Sequence, residues 1–360
     1  MNETTKNRKW DWSALSRCRS ELFGISAISI IILHFTQDIM TYSPSGNETA
    51  LLASRIYRTL IGSVGVEIFL FLSGMGLYFS MSKNPAPSIT VFYKKRLRRV
   101  LIPYAIYGLI YWGLKDLIFL HKSPLTFLLD FTTLSFYLSG DACVWFVSFI
   151  LVMYLIFPLL YRFEKEDNRH RDIYTLVFVA VGFGATFGSR FIFPALYNNI
   201  EIAAARIPIF VLGTYYGKKI IHREEASRFD ILLCLSGVAL KITDILAEFA
   251  GISVFSLIPG RFTSCFYSFA VMFLLSYLFS SLKLTKLKSA LAETGKYSFE
   301  LYITHVTIRQ TLWIFGVETY KIVSYIAVVI LSVIFSLLLN RVTDVILNLR
   351  NKKEAVKTGQ

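Results

Sequence analysis

Residues 60–81 read LIGSVGVEIFLFLSGMGLYFSM, twenty-two positions interrupted by a single charge, Glu67. A helix needs about 20 apolar residues to cross about 30 Å of hydrocarbon, so this run is long enough to span a bilayer. Working outward, nine further runs of this kind occur: Leu22–Met40, Leu101–Leu120, Trp145–Tyr161, Ile173–Phe193, Ala204–Lys219, Ile231–Phe249, Phe262–Leu282, Tyr297–Phe315 and Ile322–Leu347. The Ile231 run is the weakest of them, because it carries Lys241, Asp244 and Glu248. The expectation is an all-α polytopic integral membrane bundle of about ten transmembrane helices.

Composition agrees. The chain is 54% hydrophobic and 17% charged, with a mean hydropathy of +0.54. Soluble domains carry about a quarter charged residues. A net charge of +14 would fit nucleic acid, but the basic residues stand at the ends of the apolar runs, where membrane orientation explains them. No nucleic-acid partner is expected.

With the N-terminus inside, the cytoplasmic segments hold Lys6, Arg8, Lys9, Arg17 and Arg19, then Lys83 and Lys94 to Arg99. Arg162, Lys165, Arg169 and Arg171 follow, then Lys218, Lys219, Arg223 and Arg228, then Lys283 to Lys296. The outer loops hold few cations: Arg55, Arg58, Lys122, Arg261 and Lys321. Both termini are therefore expected inside, which demands an even number of spans. The basic start, Met1 to Arg19, with no small-residue cleavage pattern after it, argues for a first helix that is retained. The expected organisation is a cytoplasmic segment 1–21, a membrane domain 22–347 and a cytoplasmic tail 348–360. Four cysteines, none at metal-ligand spacing, leave room for one bridge at most, Cys143 to Cys265 near the outer face. No metal is expected.

Ionisable groups inside a membrane are costly and mark function by default. His34 lies in the outer half of the first run, and an imidazole there suits a general base acting on a hydroxyl. Glu67 either faces His34 and fixes its tautomer, or pairs with an arginine such as Arg206. Ser73 and Gly74 read as helix packing. Arg96 and Arg99 share a helix face at i, i+3; they suit phosphates, but on the residues alone topology and anionic lipid are the stronger reading. Arg206 reaches either headgroups or a buried acid. Trp145 and Phe146 open a run as interface aromatics do. Tyr302 and His305 sit together in the ninth run, with core hydrogen bonding and catalysis equally open for His305. No Walker loop, dinucleotide fingerprint, zinc triad or serine-hydrolase elbow occurs in the sequence.

These segments, in order, resemble the membrane acyltransferase family three, polytopic acyl-CoA-dependent O-acyltransferases of surface carbohydrates. Glu21 to Ile25 with Ile30 to Phe35 resembles its first helix and histidine. Val66 to Gly74 is similar to its second-helix signature, and Arg96 to Pro103 to its arginine-pair motif. Trp145-Phe146 with Tyr154 to Leu159, Arg206 to Phe210, and Ser298 to His305 complete the likeness. Many members carry an arginine eleven residues before the histidine; here that residue is Phe23, and Arg17 or Arg19 stands nearby.

The resemblance implies an O-acyltransferase moving an acyl group, acetyl by expectation, from cytoplasmic acyl-CoA to a carbohydrate hydroxyl at the outer side of a bacterial plasma membrane. His34 and Glu67 would be catalytic and Arg96 and Arg99 would bind the donor. Ser73, Trp145, Arg206, Tyr302 and His305 would support substrate or structure. Acetyl-CoA would be a co-substrate rather than a resident cofactor. The rival from another class is a secondary transporter or flippase of a glycan-related substrate, which shares the intramembrane charges but not the dependence on an acyl donor.

Overall fold

The computed structural model describes residues 12–43, 47–62, 64–83, 88–165, 170–250 and 260–357. Lys6, Arg8, Lys9 and Arg169 of the inner-charge map lie outside the described residues, as does the side chain of Glu248.

Among the described residues every regular element is helical. Ten helices reach fifteen residues or more: α1 (Arg19–Tyr42), α2 (Val64–Ser82), α3 (Ile89–Trp112), α4 (Trp145–Glu164), α5 (His170–Ile192), α6 (Ile207–Ile221), α7 (Arg228–Phe249), α8 (Gly260–Ser281), α9 (Ser298–Ile314) and α10 (Ile322–Lys357). Each overlaps one of the ten apolar runs, although α3 begins well before its run at Leu101, whose end, Gly113–Phe119, forms a π-helix. Seven of them, alone or with a short helix leading in, are long and apolar enough to cross a membrane. The other three are α3, α7 and α9. They carry the Lys94–Arg99 cluster, Lys241 with Asp244, and Glu300 with Arg309 respectively. The protein is an all-α, multi-pass membrane protein.

Boundaries differ from the sequence reading in instructive ways. A short helix, Ser13–Arg17, precedes α1, so the N-terminal segment is already helical before the first apolar run. Trp12 is fully buried there, donating its indole N–H to Asp230 at 3.3 Å. The run at Ala204 is broken: the helix Pro194–Ala204 ends, Arg206 occupies the break, and α6 starts at Ile207 with Pro208 in its first turn. Proline is tolerated there because a first-turn N–H has no intrahelical partner. The C-terminal tail continues α10 as helix to Lys357.

The core is built around α2, of which almost every side chain is buried. It crosses α6 closely. A Cβ at Gly213 would overlap the Phe71 carbonyl, and one at Gly74 would overlap that of Phe210. Without a hydrophobic driving force between helices in lipid, such close backbone approach is how packing is gained. Ser73 fits this role, its hydroxyl bonding back to Phe69 O at 2.8 Å within its own helix. Trp145 and Phe146 are buried against this core, which corrects the reading of them as interface aromatics. Cys18, Cys143, Cys234 and Cys265 are all free thiols, so the optional Cys143–Cys265 bridge is absent.

Candidate active site

Helix α1 carries two separated features on one rod. Arg19 lies at its foot and His34 higher up, about 22 Å apart along the axis at 1.5 Å per residue.

At the foot is an open pocket of about 940 Å³. It is walled by Arg17, Arg19, Lys83, Lys95, Arg96, Arg99 and Arg223, with Ser13, Ser16, Ser80 and Ser82 between them and no Asp or Glu among the described residues of its lining. Arg96 donates to Gly76 O at 3.2 Å. Arg19 lies against Gly76, where a Cβ would strike its guanidinium, and over the Phe23 ring at 5.4 Å. The sequence left Arg17 and Arg19 open as substitutes for an arginine at position 23. The structure seats Arg19 directly on that phenylalanine, while Arg17 turns to Ser13 Oγ. The Nε atoms of Arg19 and Arg96 are buried without a hydrogen-bond acceptor among the described residues. Burial pulls the Arg96 guanidinium below its ordinary value; Tyr154 opposes this and Arg99 adds to it. Cations crowded together without acids form a site that favours an anion.

Above the pocket, α1, α2 and α9 close on an apolar seam. A void of about 10 Å³ sits in it, bounded by Ala27, Ile30, Ile31, Phe69, Leu301, Tyr302 and His305 among others. That is room for about one water. A run of rings flanks it: Phe23 on Phe69 at 5.0 Å, Phe69 on Phe146 at 5.0 Å, and Phe146 on Tyr302 at 5.4 Å. Tyr302 Oη accepts the Phe146 backbone N–H at 3.3 Å.

At the top of the seam the two histidines meet. The rings of His34 and His305 stack, centroids 5.3 Å apart and planes 9° from parallel. One turn further along both helices, Arg309 grips Asp38 with two hydrogen bonds, Nε to Oδ2 at 2.8 Å and Nη2 to Oδ1. The offset is four residues on each helix, so α1 and α9 run parallel. Between the histidines and the fork Thr307 donates to Tyr107 Oη at 3.0 Å, and just past the fork Tyr111 and Lys115 both donate to Gln310 Oε1.

Glu67 is not part of this cluster. Its fully buried carboxylate takes the Arg206 Nε–H at 2.9 Å, and Arg206 in turn lies over the Trp145 ring at 5.2 Å. The structural pair foreseen as an alternative is the one formed. Glu67 makes no hydrogen bond to His34, whose Nδ1 has no partner among the described residues.

The structure thus gathers His34, His305 and Tyr302 at one level and Arg96 with Arg99 at another, and sets Glu67, Arg206 and Trp145 apart as a third group. Sequence reasoning missed Asp38, Arg309 and Tyr325. A signal was present for the first two: each histidine is followed four residues later by a charge, Asp38 on one helix and Arg309 on the other, and these two are opposite in sign.

The model of an acyltransferase domain, acyltransferase family 3, matches residues 24–341. The chain belongs to acyltransferase family 3. It is therefore an acyltransferase, and its transfer of a group other than an aminoacyl group agrees with the expectation from sequence. A search of curated proteins and a search of solved structures each found no match. Arg96 and Arg99 lie within the matched residues and Arg17 and Arg19 just before them.

Proposed function

We propose that the protein transfers an acyl group, acetyl first among candidates, from acyl-CoA on the cytoplasmic side to a hydroxyl of a surface or exported carbohydrate. The observation that carries the reading is the pocket at the foot of the helix that bears His34, which seven cations and no acid line among the described residues. Coenzyme A brings a pyrophosphate and a 3′-phosphate, which guanidinium forks suit. Its pantetheine arm is narrow and, stretched, reaches on the order of 20 Å by backbone-like bond lengths. That matches the rise from Arg19 to His34. With phosphates on Arg19, Arg96 and Arg99, the arm runs up the aromatic seam and presents its thioester to the histidine pair. His34 takes the hydroxyl proton, the oxygen attacks the carbonyl carbon, and the carbon–sulfur bond breaks to give the thiol. The seam must widen for this, since its void holds about one water.

Mass spectrometry of surface carbohydrates tests the reading, comparing cells that express the native chain with cells that express His34→Ala at matched membrane levels. An added acyl mass only with the native chain is expected. An acyl mass in both would remove His34 from the centre. No added mass on any carbohydrate, in a host whose glycans bear free hydroxyls, would overturn the carbohydrate acceptor.

A further inference from the structure

The two stacked histidines are not equivalent. A general base is held by a third group on its far ring nitrogen, which fixes both tautomer and orientation. His34 has no such partner among the described residues. The carboxylate expected to serve it, Glu67, is engaged by Arg206. His305 does have one. Its Nε2 lies 3.1 Å from Tyr325 Oη, and Tyr325 is buried. Tyr325 has a single hydroxyl proton, which it donates to the Ile31 carbonyl at 2.6 Å. Toward the imidazole it can then only accept. His305 therefore keeps its proton on Nε2, and Nδ1 carries a bare lone pair. That Nδ1 is buried and has no partner among the described residues. An uncommitted acceptor in a buried site carries a cost that a purely structural histidine would avoid. His305 also lines the void at the top of the seam.

We infer that His305, rather than His34, is the proton acceptor of this acyltransferase, acting through Nδ1, with Tyr325 as its positioning residue. The inference rests on the acyl-CoA reading above and reassigns the proton step within it. The acceptor hydroxyl passes its proton to His305 Nδ1 as its oxygen bonds to the thioester carbonyl carbon. The carbon–sulfur bond then breaks, and the proton on Nδ1 goes to the departing thiolate, returning His305 to its starting tautomer. No net proton enters or leaves. His34 stacks on the ring and fixes its plane, while Arg309, one turn above, is neutralised by Asp38.

The test uses the full chain in membrane vesicles from cells expressing it, with acetyl-CoA as donor, the vesicles' own glycan as acceptor, and thiol release as the signal. His305→Gln is expected to lower kcat about 100-fold or more, the usual scale of acid–base catalysis, with the KM for acetyl-CoA within about twofold of native. Tyr325→Phe keeps the ring and removes the hydroxyl; about a tenfold fall in kcat at unchanged KM is expected, equivalent to one misplaced hydrogen bond. His305→Ala with added imidazoles supplies a readout that packing alone would not move: rescued rates rise with the basicity of the imidazole. Native kcat in His305→Gln, native kcat in Tyr325→Phe, or rescue indifferent to basicity would each overturn the inference and leave the acyl-CoA reading intact. Absence of thiol release by the native chain would overturn both. If His305→Gln fails to insert, the Tyr325→Phe result at an unchanged melting temperature decides the matter.

Discussion

A carboxylate and a guanidinium buried together in a membrane core can be broken only at a cost. Glu67 and Arg206 are both buried and joined at 2.9 Å, so removing either partner strands the other. Glu67→Ala or Arg206→Ala is expected to destabilise by about 3–5 kcal/mol, read as a fall in melting temperature of the detergent-solubilised protein. The double variant Glu67→Met with Arg206→Met is expected to recover much of that loss, because no unpaired charge is left behind. Arg19 makes a second case. Its guanidinium occupies the space above Phe23, so Arg19→Ala is expected to raise the KM for the acyl donor about tenfold, the scale of one charge-assisted bond. Adding Phe23→Arg to that variant is expected to restore most of it, measured by the same donor titration. Residue identity alone identified His34, Arg96 and Arg99 as worth testing. It left open where Glu67 would turn, because a carboxylate in an apolar run must find a cation and sequence does not say which helix brings it. Tyr325 was invisible for a related reason: one more tyrosine near a helix start says nothing until its hydroxyl is seen between Ile31 O and His305.

Helices were the most legible level. Runs of about twenty apolar residues dictate helix in lipid, since every backbone polar group must be satisfied within its own segment. All ten runs appear as α1 to α10. What apolar length does not carry is the break at Arg206 or the short helix at Ser13, because those are set by tertiary contacts: Trp12 on Asp230, and Arg206 on Glu67. At this scale the fork between α1 and α9 is open to a direct exchange. Asp38→Arg or Arg309→Asp alone places like charges one turn above the stacked histidines, and activity is expected to fall at least tenfold. The two together are expected to recover it, at least in part, in an acyl-release assay. A result in which the swap is no better than either single change would mean that the fork has a role beyond holding the two helices in register. The α2–α6 crossing is less forgiving. Gly213→Leu would drive a side chain into the Phe71 backbone, and loss of monodisperse protein on size-exclusion chromatography is expected.

Across the whole molecule, cations far apart in the sequence gather in the fold. The sequence distributes them among separate inner segments; the structure brings seven of them, from the N-terminal segment and α1, the α2–α3 connection, α3 and the end of α6, around one pocket. The convergence is local: Arg19 of α1 and Arg96 of α3 both meet Gly76 of α2 at this end of the fold, which no single segment reveals. Such a mouth acts on a polyanion before it arrives. Attraction from a cluster of like charges extends over about 8 Å at physiological ionic strength and about 3 Å in 1 M salt. Added sodium chloride is therefore expected to slow capture of the donor while leaving turnover of the bound complex alone: kcat/KM falls with salt and kcat holds. Ionic strength on the pocket's side of the membrane would then set the pace of this reaction as well as the donor level, and competing polyphosphates such as nucleotides would share the same entrance as inhibitors.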